Sequence, residues 1–397
     1  TINKFLKKTK TKKLIIDDYF FPLNLMKKVK NTEIIFFTDF IKLPKTDLEI
    51  NYNFLLKKTN RKIINDTKFL LIPDDLHKNY KAEIIKKNEI KKIFIYFGNV
   101  DSNNLEKKVL DCLLPYKSIK KVLIDNEKNK KVFDKNSREK LNLKIYKKTY
   151  SLSKIIQTCD FIITSMGMTM WEVICQNKPA MFFKTSIHQS NNYKFLKRKL
   201  NQNLKSLSLI KDLEKIKIKK KIFLPNRNIY IDTHGASRLA HKISEKFELK
   251  ILKPKLNDIE YFFDWVNQEE VRNFSRIKKK KIDFEDHRKW FLNNLNLKDT
   301  IILIAKTELD VPIGQVRIFK KKGKYFTDIY VCKYFRGQNT GSHLLKFAEK
   351  KFFRNQNFPL FSEVNKKNKT SVFFFKKNGY KKYRKHKNFN VYKKINS

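Results

Sequence analysis

Between residues 92 and 247 short apolar runs alternate with segments whose apolar positions recur at helical spacing. Ile93–Phe97 is one run, followed by a turn at Gly98–Asp101 and by a segment with Leu105, Val109 and Leu113 on one helical face. Lys121–Asp125 and Leu141–Tyr146 read as strands, and Leu152, Ile155 and Ile156 mark a helix after them. The densest stretch is Asp160–Gln189. Asp160–Thr164 is apolar, Ser165–Met170 is a small-residue turn, and Trp171, Ile174 and Cys175 fall at helical spacing. Ala180–Phe183 is a second apolar run. That order is strand, turn, helix, strand: one βαβ unit. Tyr193–Leu204 reads as a basic helix, Ser206–Leu213 as short and mixed, Lys215–Lys221 as a solvated charge run, and Ser237–Phe247 as a last helix. Such alternation predicts a parallel sheet over residues 90–247.

Ahead of it, Lys13–Tyr19, Glu33–Phe37, Asp47–Asn53 and Lys68–Pro73 read as short strands, so residues 1–80 resemble part of a doubly wound domain. Asp17 stands at the end of the first strand, where such sheets place ligand-facing polar groups. The text opens on Thr1, just before a strand, and reads as a fragment of that domain. Behind it, Leu249–Pro254 is a composition break, and the pattern changes. Asp258 reads as a helix N-cap before Ile259, Phe262 and Phe263. Val271–Ser275 follows, and Asp286–Phe291 lies on an amphipathic helix. Thr300–Lys306 and Ile313–Phe319 read as antiparallel strands around Glu308–Pro312. Thr327–Val331, a helix at His343–Phe352 and a strand at Phe361–Val364 come next. Residues 249–395 are therefore expected to form an α+β domain.

Composition narrows the choices. At 397 residues and 41% hydrophobic content, two or three domains with proper cores are expected. The formal net charge of +51 suggests nucleic acid, but only 12 of the 90 basic residues are arginine and the lysines are spread throughout. Arginine is the residue that reads phosphates and bases bidentately. The charge thus reads as solvated lysine faces, with weak attraction to polyanions and no specific nucleic-acid partner. The four cysteines, Cys112, Cys159, Cys175 and Cys332, form no C-x-x-C pair. They read as buried thiols in a reducing cytoplasm, and no metal is expected. No apolar run approaches the ~20 residues of a membrane span.

Two turns carry candidate chemistry. The turn at Ser165–Met170 exposes backbone N–H groups and a helix N-terminus, which suits phosphate, and Glu172 could accept hydrogen bonds from ribose hydroxyls. A turn that binds nothing is the alternative. Arg336-Gly-Gln-Asn-Thr-Gly-Ser342 runs from a strand into a helix, and its glycines let the backbone close on a pyrophosphate.

The first of these turns belongs to a wider resemblance. Phe97-Gly98-Asn99-Val100-Asp101 with Asn104 resembles the FGGxDPxN turn of the nucleotide-sugar hydrolases of pseudaminic acid biosynthesis. Ser165–Glu172 resembles their aGxTxWE turn, with Gly167 and Thr169 in place. His188-Gln189 stands where they carry NQ, Leu14–Tyr19 where they carry livDdY, and Asp232–Arg238 where they carry DGxGxxR. The resemblance covers roughly residues 10–247 and departs at Asn99, where the family has glycine. It implies a glycosyltransferase-B-like fold, the first domain incomplete. The nucleotide would be held by Asp17, Gly98, Asn99, Asp101, Asn104, Ser165, Gly167, Thr169, Glu172, His188 and Gln189. The implied substrate is a UDP-2,4-diacetamido-trideoxy sugar, from which water releases UDP. The family's catalytic His sits in a Gly-x-Gly-His loop that would precede Thr1, so no hydrolysis by this fragment is expected.

The second turn resembles the acetyl-CoA loop of the GNAT acetyltransferases, R/Q-x-x-G-x-G/A, with Asn339 in place of its first glycine. Asn365–Asn368 and Ser371–Tyr380 resemble their closing N…S…LYEKxGF signature. The implied cosubstrate is acetyl-CoA, held by Ile329, Val331, Arg336, Gly337, Gln338, Asn339, Thr340, Gly341, Ser342, Asn368, Ser371 and Phe375. Glu363 is the candidate base that neutralises the acceptor amine, with a solvent-facing or structural Glu as the alternative. Phe375 replaces the Tyr that many GNATs use to protonate the thiolate. Trp265, Asn267, Val271-Arg272 and His287 resemble the amino-sugar N-acetyltransferases of the same pathway, which act on the 4-amino group of a UDP-amino sugar. The ribosomal-protein N-acetyltransferases share much of that pattern. The leading expectation is a fusion of the two nucleotide-sugar activities. The alternatives are a glycosyltransferase-like first domain, or a ribosomal-protein-type acetyltransferase on an inert platform.

Overall fold

Two parallel sheets and one mixed sheet account for the apolar runs. The computed structural model describes residues 2–18, 21–38, 46–52, 62–73, 75–76, 90–99, 101, 103–125, 133–147, 151–187, 189–199, 207–209, 229, 231–244, 247–275 and 280–396. They fall into two units, Thr1–Leu239 and Ala240–Ser397.

In unit 1 the first sheet is β1 (Lys13–Ile16), β2 (Glu33–Thr38), β3 (Leu48–Asn51) and β4 (Ile63–Ile64), parallel and in that order. Ile16, Met26, Ile34 and Phe36 form its small core. The strand expected at Lys68–Pro73 is not one. Thr67–Phe69 is a 3-10 turn, capped by Asp66 through the Lys68 amide at 3.0 Å. The apolar residues behind it, Leu70, Ile72 and Leu76, are buried in the core of the second sheet, so packing against that sheet set their pattern.

The second sheet contains β5 (Lys92–Tyr96), β6 (Lys120–Ile124), β7 (Leu143–Tyr146), β8 (Phe161–Ser165), β9 (Ala180–Lys184) and β10 (Leu207–Leu209). Its helices include α1 (Leu105–Cys112), α2 (Leu152–Thr158) and α3 (Met168–Cys175). The strand order is β10-β9-β8-β5-β6-β7, with every pairing parallel. One core lies on each face. Phe94, Val122, Ile162 and Trp171 share one, and Ile93, Ile95, Val109 and Leu123 share the other. Burial on both faces is why these strands read as unbroken apolar runs.

Residues 231–239 hold the segment at Lys68–Leu70 in place. The Arg238 guanidinium donates to both oxygens of Asp232, at 2.7 and 2.5 Å, and to the carbonyl of Lys68 at 2.9 Å. Burial alone would push the Asp232 carboxyl up. The charge and hydrogen bonds of Arg238 outweigh it and hold the group far below the usual range. Gly235 opens α4 (Gly235–Ser244), and a Cβ there would lie 1.8 Å from the Leu70 carbonyl oxygen.

Unit 2 is built on a seven-stranded sheet ordered β11-β12-β13-β14-β15-β17-β16. Its strands are β11 (Leu249–Leu252), β12 (Ile301–Thr307), β13 (Pro312–Lys321), β14 (Lys324–Val331), β15 (Leu360–Asn365), β16 (Lys381–Lys385) and β17 (Phe389–Lys394). At the composition break Leu249–Leu252 is an edge strand, paired antiparallel with β12 from Leu249↔Thr307 to Leu252↔Ile304. An edge strand pairs along one side only, so a short, lysine-containing run suffices. On one face lie α5 (Ile259–Asn267), α6 (Glu269–Phe274) and α7 (Phe284–Asn296); α6 covers the run expected only as Val271–Ser275. Asp258 makes no side-chain cap to α5. It accepts from the Lys255 amide at 2.7 Å and pairs with Lys306 at 2.8 Å. On the other face α8 (Thr340–Phe353) and α9 (Lys369–Lys377) pack Leu344, Leu345, Ala348, Phe352 and Phe375 over Val316, Ile318, Tyr325 and Leu360.

Gly235→Ala is expected to cost unit 1 about 1–3 kcal/mol, because the added carbon meets main-chain atoms that no side-chain rotation can clear. Thermal unfolding followed by circular dichroism reads it, and a midpoint equal to the parent's would show that the Leu70 segment yields without cost.

Candidate functional site

The second sheet of unit 1 runs outward in both directions from the β5–β8 pair. The loops after those two strands therefore face one crevice, the position where open α/β sheets hold ligands. After β5, Gly98 has φ 102°, a conformation that a side chain would strain. Asn99 Oδ1 accepts from the Tyr96 hydroxyl at 3.0 Å. Asp101 is buried, and each of its oxygens accepts an amide of α1: Leu105 and Glu106, both at 2.9 Å. Its carboxylate is a helix cap. Asn104 precedes α1 in the left-handed region at φ 51°.

After β8, Ser165 is buried and Gly167 is the N-cap of α3 in extended conformation, with no side-chain cap bond. Thr169 lies in the first turn of α3, and Glu172 follows one turn on. Burial pushes the Glu172 carboxyl up to about 7, and the charge of Asp75 adds to it. Asp75 goes the other way: the hydroxyl of Ser153, with help from Ser151 at 2.9 Å, holds it low. Tyr96 is raised by burial and by the charges of Glu106 and Glu172. The crevice thus brings together Glu172, Asp75 and Tyr96. The last two were missed in the sequence, because neither belongs to a turn motif. Gln189 Oε1 is engaged by the Thr185 amide at 2.8 Å and its hydroxyl at 3.2 Å. Asp17 is exposed at the end of β1, and its charge adds to burial in raising Tyr52. His188 lies outside the described residues.

In unit 2 the site is a gap between strands. β14 and β15 are parallel neighbours, yet they pair only through Tyr325↔Leu360 and Phe326↔Phe361. Beyond those residues they part, so the stretch with Ile329 and Val331 and the stretch from Ser362 to Asn365 do not pair with each other. β14 leads through Arg336–Asn339 into α8. Gly337 has φ 85° and open space where a side chain would stand, and Asn339 is left-handed at φ 58°. Asn339 makes no side-chain cap bond, so the first amides of α8, at Thr340, Gly341 and Ser342, lack that cover. A Cβ on Gly341 would lie 3.0 Å from the Phe374 ring and 3.4 Å from Val331, which fixes that glycine by packing. A loop rich in left-handed backbone, an uncapped helix start and a slot between strands together fit a pyrophosphate with an extended tail.

Several expected residues have partners inside the protein. Arg336 donates to Glu270 on α6, at 2.5 and 3.4 Å, and through Nε to the Val331 carbonyl at 2.8 Å. It is a clamp on the loop. Gln338 is exposed beside it. Asn368 Oδ1 accepts the Ser371 amide at 3.0 Å, so those two form the cap of α9. Phe375 is buried against Tyr380 at 5.0 Å. The Tyr380 hydroxyl is driven well above its ordinary value by burial and by Glu349. Glu363 stands on β15 just past the point of parting, 3.4 Å from the Lys321 ammonium. Trp265 stacks on Tyr330 at 5.4 Å, and the Tyr330 hydroxyl donates to Gln268 at 2.7 Å. Asn267 holds the backbone of Ile282 at 2.7 and 3.1 Å. Arg272 is buried and donates to the Ser275 hydroxyl at 2.8 Å. His287 is buried among Phe263, Trp290 and Phe291, and burial pushes it down to about 4, so it is neutral near pH 7.

Comparison with known proteins fits unit 2. Residues 298–382 match the family described as acetyltransferase (GNAT) domain, a span that runs from just before β12 into β16 and contains the gap and the loop. The C-terminal part of the chain is therefore a GNAT acetyltransferase domain, and acetyl-CoA is its cosubstrate. An uncharacterized protein of Methanocaldococcus jannaschii is 27% identical over 349 residues, 80% of this chain and 70% of that protein. Among solved structures, a domain from Methanocaldococcus jannaschii is 18% identical, covers 38% of this chain and 99% of its own, and has a TM-score of 0.34. The PaiA N-acetyltransferase from Thermoplasma acidophilum, in complex with coenzyme A, is 19% identical with the same coverages and TM-score. Among the described residues no helix is long and apolar enough to cross a membrane, and no three His, Cys, Asp or Glu side chains are grouped to hold a metal ion.

The Glu172 carboxyl is raised on folding, from 4.5 to about 7, so its favourable contribution is complete below about pH 4.5 and is lost as pH rises through 7. Glu172→Gln is expected to raise the stability of unit 1 at pH 8, by up to about 3 kcal/mol, and to leave it unchanged at pH 4. Denaturant titrations at both pH values read the difference, and equal effects at the two would exclude a buried, raised carboxyl.

Proposed function

We propose that this is a bifunctional-type protein of pseudaminic acid biosynthesis. Unit 2 transfers the acetyl group of acetyl-CoA to the 4-amino group of a UDP-amino sugar. Unit 1 holds the UDP end of a UDP-2,4-diacetamido-trideoxy sugar, the substrate of the hydrolases that its motifs resemble. One observation carries the acetyltransferase half: β14 and β15 part beside Glu363, and the strand that leaves the gap leads straight into the Arg336–Ser342 loop. Support for the nucleotide half comes from the crevice at β5 and β8, where Gly98, Gly167 and Glu172 stand around the switch of strand order. The Methanocaldococcus relative aligns over a span longer than either unit, so the two occur in one chain there too.

The chemistry asked of unit 2 is modest. Acetyl-CoA supplies the activated acetyl as a thioester. A neutral amine attacks its carbonyl carbon, the carbon–sulfur bond breaks, and the amine loses a proton. Glu363 is the group placed to take that proton, directly or through water. Phe375 has no proton to give the leaving thiolate, so either water protonates it or it departs as the thiolate.

With full-length protein, acetyl transfer to a UDP-4-amino sugar is expected to exceed transfer to a peptide N-terminus. Glu363→Gln should lower kcat by roughly 10²-fold, the usual scale for a general base, with acetyl-CoA affinity retained. Acetylation of peptides alone would replace this reading with a ribosomal-protein type of acceptor. For unit 1, calorimetry should show UDP binding that Glu172→Ala weakens by about 1–3 kcal/mol, the scale of a lost buried hydrogen bond. A protein that binds no UDP would remove the nucleotide reading and leave a plain platform.

A further inference from the structure

The loop that opens α8 is not held by its own backbone. Gly337 is left-handed with open space around it, and Asn339 gives α8 no side-chain cap. Side chains fix the loop instead. At its far end Lys377 on α9 reaches Asn339 Oδ1 at 3.4 Å. At its near end stands Arg336, whose guanidinium carries five N–H donors in one plane. Nε donates to the Val331 carbonyl at 2.8 Å, and the two terminal nitrogens donate to the two oxygens of Glu270 at 2.5 and 3.4 Å. Three of the five donors are used inside the protein, which leaves two for a ligand.

Glu270 links the loop to more than a counter-charge. It lies in the first turn of α6, two residues after the N-cap residue Gln268. The Gln268 side chain accepts from the Tyr330 hydroxyl at 2.7 Å and donates to Asp264 on α5 at 3.0 Å. Tyr330 precedes Val331 on the stretch of β14 that β15 leaves unpaired. Its ring stacks on Trp265 of α5 at 5.4 Å and 27°, and the Arg336 guanidinium lies 5.8 Å from the ring centre. The contacts close on themselves. They run from β14 to Arg336, from Arg336 to α6, and from α6 through Gln268 back to Tyr330. A satisfied network of this kind is rigid, so the edge of the gap, the loop and the start of α6 are held as one piece.

Stability alone does not account for the pair. Its side chains are 41% and 43% exposed, and exposed ion pairs contribute little. A carboxylate beside a loop that takes up a diphosphate brings two opposed effects. Coulomb repulsion weakens binding. A guanidinium pinned by both carboxylate oxygens presents its remaining N–H groups in fixed directions, which strengthens it. The two-point geometry at Glu270 favours the second. We propose that Glu270 is a positioning residue of the acetyltransferase, which holds Arg336 ready for the diphosphate of acetyl-CoA and so ties occupancy of the gap to the order of α6. The inference rests on acetyl-CoA as cosubstrate and holds whichever amine accepts the acetyl group.

The test uses the full chain with acetyl-CoA alone. Calorimetry gives the Kd, and hydrogen exchange of the α6 amides with and without acetyl-CoA reads the coupling. In the parent, acetyl-CoA should slow exchange across Glu270–Phe274. Glu270→Gln is expected to raise the Kd about fivefold, the upper range for an exposed ion pair, and to abolish the slowing in α6 while the start of α8 stays protected. Glu270→Asp keeps the carboxylate and should recover most of both effects. A thermal midpoint shared by parent and variants would show that the loss lies in positioning and not in folding. A Kd that falls or stays level in Glu270→Gln would overturn the proposal, because the carboxylate would then only repel the diphosphate. Exchange in α6 that ignores acetyl-CoA in the parent would overturn the coupling. A parent that binds no acetyl-CoA would remove the cosubstrate assignment together with the proposal.

Discussion

Unit 2 depends on two parallel strands that stop pairing. Main-chain N–H and C=O groups must find partners, and a sheet ordinarily provides them on both sides of every inner strand. β14 keeps its antiparallel partner β13 along its whole length but loses β15 after Phe326. The facing edges beyond that point hold polar groups that the sheet does not satisfy. A molecule carrying amides can complete them as a missing strand would. The neighbouring features serve that opening. Gly341 lets α8 approach α9 within contact of Phe374, and the Arg336–Glu270 pair fixes the loop at the mouth. The last paired residues, Phe326 and Phe361, are in ring contact, so aromatic side chains stand at the closed end of the gap.

In unit 1 the deciding quantity is whether a buried carboxylate has a cation. Asp232 and Glu172 are both withdrawn from water. Asp232 lies against Arg238, whose charge and two hydrogen bonds exceed the burial penalty, and it stays ionised. Such a pair is costly to break, because removing one partner strands the other. Glu172 has a second acid nearby, Asp75, and its carboxyl rises to about 7. One site is locked and the other is poised. The locked pair binds the Lys68 segment into the fold, while the poised group lies at the crevice, where a change of charge can follow ligand or pH.

Much of the fold was legible because parallel strands buried on both faces leave unbroken apolar runs, as at Phe161–Ser165. The strand misread at Lys68–Pro73 has a plain cause. Leu70, Ile72 and Leu76 have the spacing of a strand but owe it to packing on another sheet. Leu249–Leu252, where the composition changes, pairs along one edge, where little apolar surface is needed. The loop at Arg336–Ser342 stood out by its glycines, which have different reasons: backbone conformation at Gly337 and close packing at Gly341. Roles that depend on distant partners were not legible. Arg336 meets Glu270 from 66 residues away, and the ring contacts from Phe319 through Phe326 and Phe361 to Tyr383 join four strands. No local spacing encodes either.

The lysine content then takes on a sharper meaning. A net charge of +51 draws anions toward the whole surface, and by itself such a field chooses nothing. Most of the lysines lie where composition put them, on solvated faces. Lys321 and Lys324 differ in that a tight hairpin, with Gly323 left-handed at φ 74°, holds them at the end of two strands whose next residues carry the rings. A field of this kind raises the rate at which any anion arrives, and it falls away with salt over the Debye length.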